Sequence, residues 1–180
     1  MAASPRVPGE GGTITVDGAI VGLEPFEDPK NQLSAMFITA GKDYWYQVTF
    51  ASSESGSTNS TKETFNVKRL ATAPQMAAQS QELIARIGNE IMFISNENAL
   101  VSLGSVEDKE TPKFRYLSDE VKNDFDDYSF TNGHLKYHKR LLHIALPAEG
   151  KDHPYNVKEG FWEAPQVWPP LREFPEKAER

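Results

Sequence analysis

Three of the four histidines, His134, His138 and His143, fall within the stretch "HLKYHKRLLH", and His153 follows shortly after. Imidazoles this close could hold a metal ion or move protons. On a helix, His134 and His138 would sit one turn apart. On a strand they share a face, and His143 lies across a turn at Lys139 and Arg140. Gly133 and the apolar run 141–146 oppose the helix, no acidic third ligand stands at a recognised spacing, and HExxH is missing. The stretch therefore reads as a β-hairpin carrying surface or cross-strand histidines, with no metal and no cofactor. The carboxylates Asp119, Glu120, Asp124, Asp126 and Asp127 lack the glycine and the twelfth-position glutamate of an EF-hand, and they suit a solvated loop entering a helix. There is no cysteine, GxSxG, P-loop or GxGxxG, so neither a nucleophile nor a phosphate cradle is in sight. The expectation is a protein that is not an enzyme, with no catalytic residues.

Aromatic residues offer a different chemistry. "DYWYQVTF" alternates Tyr44 and Tyr46 against Trp45, the pattern of a packed strand, and stacking on sugars is the sharper alternative. "EGFWEAPQVWPPLREFP" sets Phe161, Trp162, Trp168 and Phe174 among prolines that include Pro169 and Pro170, which bars it from an internal strand. Left uncovered it would expose apolar surface, so Phe161, Trp162, Trp168, Pro169, Pro170 and Phe174 are the candidate partner-docking residues. Packing back on the same domain is the bland reading.

The elements that must position these residues are mostly strands. A length of 180 residues suits one domain, or one and a half, and 12 glycines with 12 prolines favour short strands and turns over a helical bundle. The formal charge of -7 gives a surface that repels phosphate, so a nucleic-acid footprint would need a local basic patch, and His138, Lys139 and Arg140 form the one in view. No run of eighteen apolar residues and no leader-like apolar segment is present, which predicts neither a membrane span nor secretion. Residues 1–12, rich in glycine and proline, read as a flexible arm, 13–166 as the β domain and 167–180 as a proline-rich arm.

Asp17-Gly18 within "ITVDGAIV" is the turn chemistry of a tight hairpin. Three further hairpins are predicted, with turns near 42, 89 and 139. Their spacing of about 50 residues matches a repeat of small antiparallel sheets, the period of β-propeller blades. "RLATAPQ" and "GFWEAPQ" echo one another as unit ends. "TAPQMAAQSQELIARIG" predicts a short helix capped by Thr72 and running to about Gln81, before the hairpin over 83–95. "LSDEVKNDF" predicts one or two helical turns capped by Ser118, while "ASSESGSTNSTKE" and "GSVEDKETPKFRY" read as polar loops.

Taken together, "IMFISNENALVSLGSVED", "LSDEVKNDFDDYSFTNGHLKYHKRLLHIALPAEG" and "KEGFWEAPQ" resemble a family of tailed-bacteriophage virion proteins, tail or connector components with propeller-like β-repeats. The likeness runs from Thr13 to Gln166. It implies an all-β fold of about three blade-like antiparallel units with short helical turns. It further implies a structural, nozzle-like part made in the host cytoplasm and built into the virion. There it would contact copies of itself and other virion proteins, with DNA passing transiently along its exit path and no sequence-specific nucleic-acid binding. The alternative function is a carbohydrate- or receptor-binding module in which Tyr44, Tyr46 and Trp162 form a stacking platform. The chain departs from the family pattern at "DHPYNVKEG", where Pro154 stands in the path of the third unit's outer strand.

Overall fold

Runs of β-branched and aromatic residues separated by short turns make strands the dominant element. The computed structural model describes residues 14–28, 33–54, 61–70, 74–104 and 113–168. Its strands are β1 (Ile20–Asp28), β2 (Leu33–Ala40), β3 (Tyr44–Glu54), β4 (Thr61–Arg69), β5 (Ile84–Ile87), β6 (Glu90–Ile94), β7 (Leu100–Gly104) and β8 (Lys113–Tyr116). They continue with β9 (His134–His138), β10 (Leu141–Leu146), β11 (Lys151–Asn156), β12 (Phe161–Trp162) and β13 (Gln166–Val167). Three antiparallel meanders result, in the orders β1-β2-β3-β4, β5-β6-β7-β8 and β9-β10-β11-β12, with β13 also paired to β11. The protein is all-β; among the described residues the α-helical content is one short segment, α1 (Lys122–Asp127), preceded by a 3-10 turn at Asp119–Val121. The chain divides into two compact units, Met1–Asp127 with the first two sheets and Tyr128–Arg180 with the third.

The hairpins with turns near 42, 89 and 139 all form. They occupy different places in their meanders, however. The turn at 41–43 joins a second strand to a third, so its counterparts are 95–99 and 147–150, whereas 88–89 and 139–140 both join a first strand to a second. The meander recurs, and the first repeat is a few residues longer than the hairpin spacing implied.

Asp17-Gly18 does not close a hairpin. Gly18 does take a left-handed φ of 93°, but it makes a bend that leads into β1, whose partner is β2. The bend is held from a distance: Gly41 N–H donates to Ala19 O at 2.9 Å, and Asp17 N–H donates to the Tyr46 hydroxyl at 3.1 Å. A Cβ on Gly18 would lie 2.9 Å from Gly41 Cα, so the close approach of two backbones requires glycine there.

The helix predicted up to Gln81 is not formed over 74–80; Thr72 lies outside the described residues. The reason is where the amides go. Gln75 N–H donates to Asp43 Oδ1, Ala77 N–H to Lys42 O and Ala78 N–H to Thr39 Oγ1, all in the first sheet, while Gln79 N–H donates to Ile94 O in the second. Trp45 Nε1 returns a bond to Met76 O at 3.1 Å. An extended tie between two sheets satisfies more partners than one helical turn would. Helical structure within the described part of this segment is limited to the 3-10 turn Gln81–Leu83.

The polar loops are shorter than expected, because β3 continues to Glu54, β4 begins at Thr61 and β8 occupies 113–116. Helical turns do follow Ser118, yet its hydroxyl makes no cap bond and accepts Leu100 N–H at 3.1 Å instead.

The cores explain the register. Phe37, Trp45, Ile84, Ile91, Phe93, Val101 and Leu103 belong to one buried cluster shared by the first two sheets, with Trp45 and Phe93 ring centroids 4.7 Å apart. On the other face of the first sheet, Ile38, Ala40, Tyr46 and Val48 pack with Ile14 and Val16, so the residues before the bend cover that face. In the second unit, Leu142, Ile144 and Leu146 alternate along β10 and are fully buried.

Candidate functional site

Pro154 did not abolish the third sheet's outer strand, and its placement shows why. Within β11 it lies opposite His143 of β10, and its carbonyl accepts Glu163 N–H at 2.9 Å on the far side. A residue's N–H and C=O point to the same neighbour, so the missing donor faces outward, away from β10. There the covering strand is split: β12 pairs with Tyr155 and Asn156, β13 pairs with Lys151 and Asp152, and residues 163–165 pass the gap between them. The proline sits where the ladder has no acceptor to lose.

This register gathers the histidines. His134, Lys136 and His138 of β9 stand opposite Ala145, His143 and Leu141, so the three histidines share one face, with His143 diagonal to the other two. Asp152 of β11, opposite Ala145, occupies the same face. His143 Nδ1 lies 2.7 Å from Asp152 Oδ2. Asp152 is 8% exposed and its Oδ1 has no hydrogen-bond partner. His134 and His138 are exposed. His153 points to the opposite face, buried, with its ring 5.2 Å from that of Tyr128.

A proton on Nδ1 would be donated to Asp152 and leave the Nε2 lone pair free, the orientation that a general base or a metal ligand needs. Among the described residues, no group of three or more histidines and carboxylates is placed to hold a metal ion. The bond from His143 of β10 to Asp152 of β11 is a polar clasp between the two strands. Nothing in the sequence marks its acidic partner, because Asp152 meets His143 only through the β10–β11 register.

The aromatic segment divides. Trp162 turns inward, its ring 5.0 Å from that of Tyr155, while Phe161 beside it is 45% exposed. Trp168 donates its backbone N–H to Gly150 O at 2.8 Å and keeps its side chain 39% exposed. Val167, paired with Lys151 in β13, is 74% exposed. Pro169, Pro170 and Phe174 lie outside the described residues. The part of the segment up to Trp168 thus packs on its own sheet and still presents apolar side chains outward.

Of the proposed sugar platform, Tyr46 is buried and committed. Its hydroxyl donates to Asp17 Oδ2 at 3.1 Å, Arg69 lies 3.5 Å from the same carboxylate, and burial raises the phenol's pKa against the lowering pull of the Asp17 backbone bond. Two residues that the sequence did not flag close the β1 edge. Gln81 Oε1 accepts Leu23 N–H at 2.7 Å, and Arg86 Nη1 donates to Pro25 O at 3.0 Å, so side chains replace a further strand. No protein-family model matches the chain, and no curated protein matches it.

Proposed function

We propose that the chain is a non-enzymatic structural component of a phage virion, in a tail or connector assembly beside the DNA exit path. The assembly part of this reading is carried by one observation. Among the described residues, the large apolar side chains left in water lie on or next to strands at the margins of sheets: Ile20 and Leu23 on β1, Tyr116 on β8, Tyr137 on β9, Phe161 on β12, Val167 on β13 and Trp168 just beyond it. Sheet margins with apolar side chains are surfaces that neighbouring chains cover. The β1 margin is already stitched by Gln81 and Arg86; β8 and β9 expose one large side chain each, so the outer margin of the third sheet, with Phe161, Val167 and Trp168, is the principal contact. The virion part rests on the phrases from "IMFISNENALVSLGSVED" to "KEGFWEAPQ".

Sedimentation of the whole chain against concentration tests the reading. Self-association is expected, and Val167→Lys with Trp168→Lys should shift it toward monomer. Mass spectrometry of purified particles should find the chain among virion proteins. A wild-type chain that stays monomeric and is missing from particles would overturn the proposal.

A further inference from the structure

The β9–β10 hairpin is a basic spot on an acidic chain. No Asp or Glu stands between Asp127 and Glu149, a stretch that carries Lys136, Lys139 and Arg140, whereas the whole chain has a formal charge of -7. These three cations are exposed, as are His134 and His138, and none of the ion pairs formed among the described residues involves them. Lys136 shares a face with both histidines, and Lys139 and Arg140 form the tip.

The tip is also costly. Lys139 has φ 48° and Arg140 φ 74°, so two successive residues with side chains occupy the left-handed region. A two-residue turn of this kind favours Asn-Gly, and each Cβ there costs about 1 kcal/mol. Arg140 O accepts Val157 N–H at 3.1 Å, a bond any residue could make, and among the described residues neither side chain joins an ion pair. Cations kept where the backbone disfavours them point to an external anion.

Three kinds of anion differ in what they require. A lipid surface calls for apolar side chains to insert, and the hairpin exposes a single large one, Tyr137 at 44%. An acidic peptide presents few charges. A nucleic-acid backbone presents closely spaced phosphates for Lys136, Lys139 and Arg140. We infer that the β9–β10 hairpin binds a nucleic-acid backbone through Lys136, Lys139 and Arg140, without reading sequence. The site is separate from the outer sheet margin, so a chain that failed to self-associate could still bind.

The turn chemistry supplies the test. Lys139→Asn with Arg140→Gly removes two charges and relieves the strain, so the variant should unfold at equal or higher urea than wild type. Binding of a fluorescent duplex DNA to the full chain is followed by anisotropy between about 50 and about 200 mM KCl. Wild type should bind at the lower salt and weaken as salt rises. The double variant should bind more weakly and respond less, its loss of affinity across that range being about tenfold smaller. Lys136→Gln should lower the salt slope by about one. Absence of wild-type binding at about 50 mM KCl, an unchanged slope in the double variant, or equally tight binding to polyglutamate or to anionic phosphatidylserine vesicles would overturn the inference.

Discussion

His143 and Asp152 depend on each other unequally. His143 is partly open to water, so without its partner it can find solvent, whereas Asp152 is buried and already has one oxygen without a bond. Removing the imidazole leaves an uncompensated buried carboxylate. His143→Ala is therefore expected to cost about 2 kcal/mol in urea unfolding, and adding Asp152→Asn to recover part of it. A loss below about 0.5 kcal/mol would mean that water reaches Asp152. Glu24 makes a second case. Burial raises its pKa above the ordinary glutamate value, opposed by the Gln81 hydrogen bond at 2.9 Å and the charge of Arg86. The folded state thus holds the proton more tightly than the unfolded one. The stability this gives is complete below the ordinary value and is lost as pH rises through the raised one. Glu24→Gln, which keeps an acceptor for Gln81, should remove Glu24's contribution, so that its urea midpoint gains less than that of wild type on acidification across that window. An unchanged profile would show that Glu24 does not contribute.

Among the elements, β1 is the most finely placed. A Cβ on Gly22 would fall within van der Waals distance of Ile84 Cδ1, and it would also meet Gln81 Oε1 at 3.0 Å and Thr39 Cγ2 at 3.1 Å. Gly22→Ala should cost about 1 to 3 kcal/mol, and Ile84→Val, which deletes Cδ1, should restore part of it; failure of that rescue would put the clash elsewhere. Sequence reasoning succeeds where the turn and its two strands are contiguous, as at 41–43, 88–89 and 139–140, because pairing there is local. It fails where partners are distant. Asp17 looks like a hairpin residue until Tyr46 and Arg69 are brought to it, and the amides of 75–79 look helical until both sheets claim them. β8 was hidden inside a polar stretch because Phe114 alone signals its packing, edge-on against Phe93. The His143 clasp escaped notice for a different reason: whether a proline can sit inside a strand depends on which side its missing donor faces, and that is fixed only once the register is known.

At the scale of the molecule, two kinds of surface answer to opposite forces. The outer margin of the third sheet presents Phe161, Val167 and Trp168, whose association would proceed between like-charged chains and so tighten as salt screens their repulsion. The basic hairpin would release phosphate under the same change. Salt therefore separates the two activities within one preparation. In the first unit, the tie at 75–79 constrains how the fold comes apart. Its amides are divided between acceptors on two sheets, so fraying of either strands the bonds of the other, and the eight strands are expected to share a single melting event instead of two.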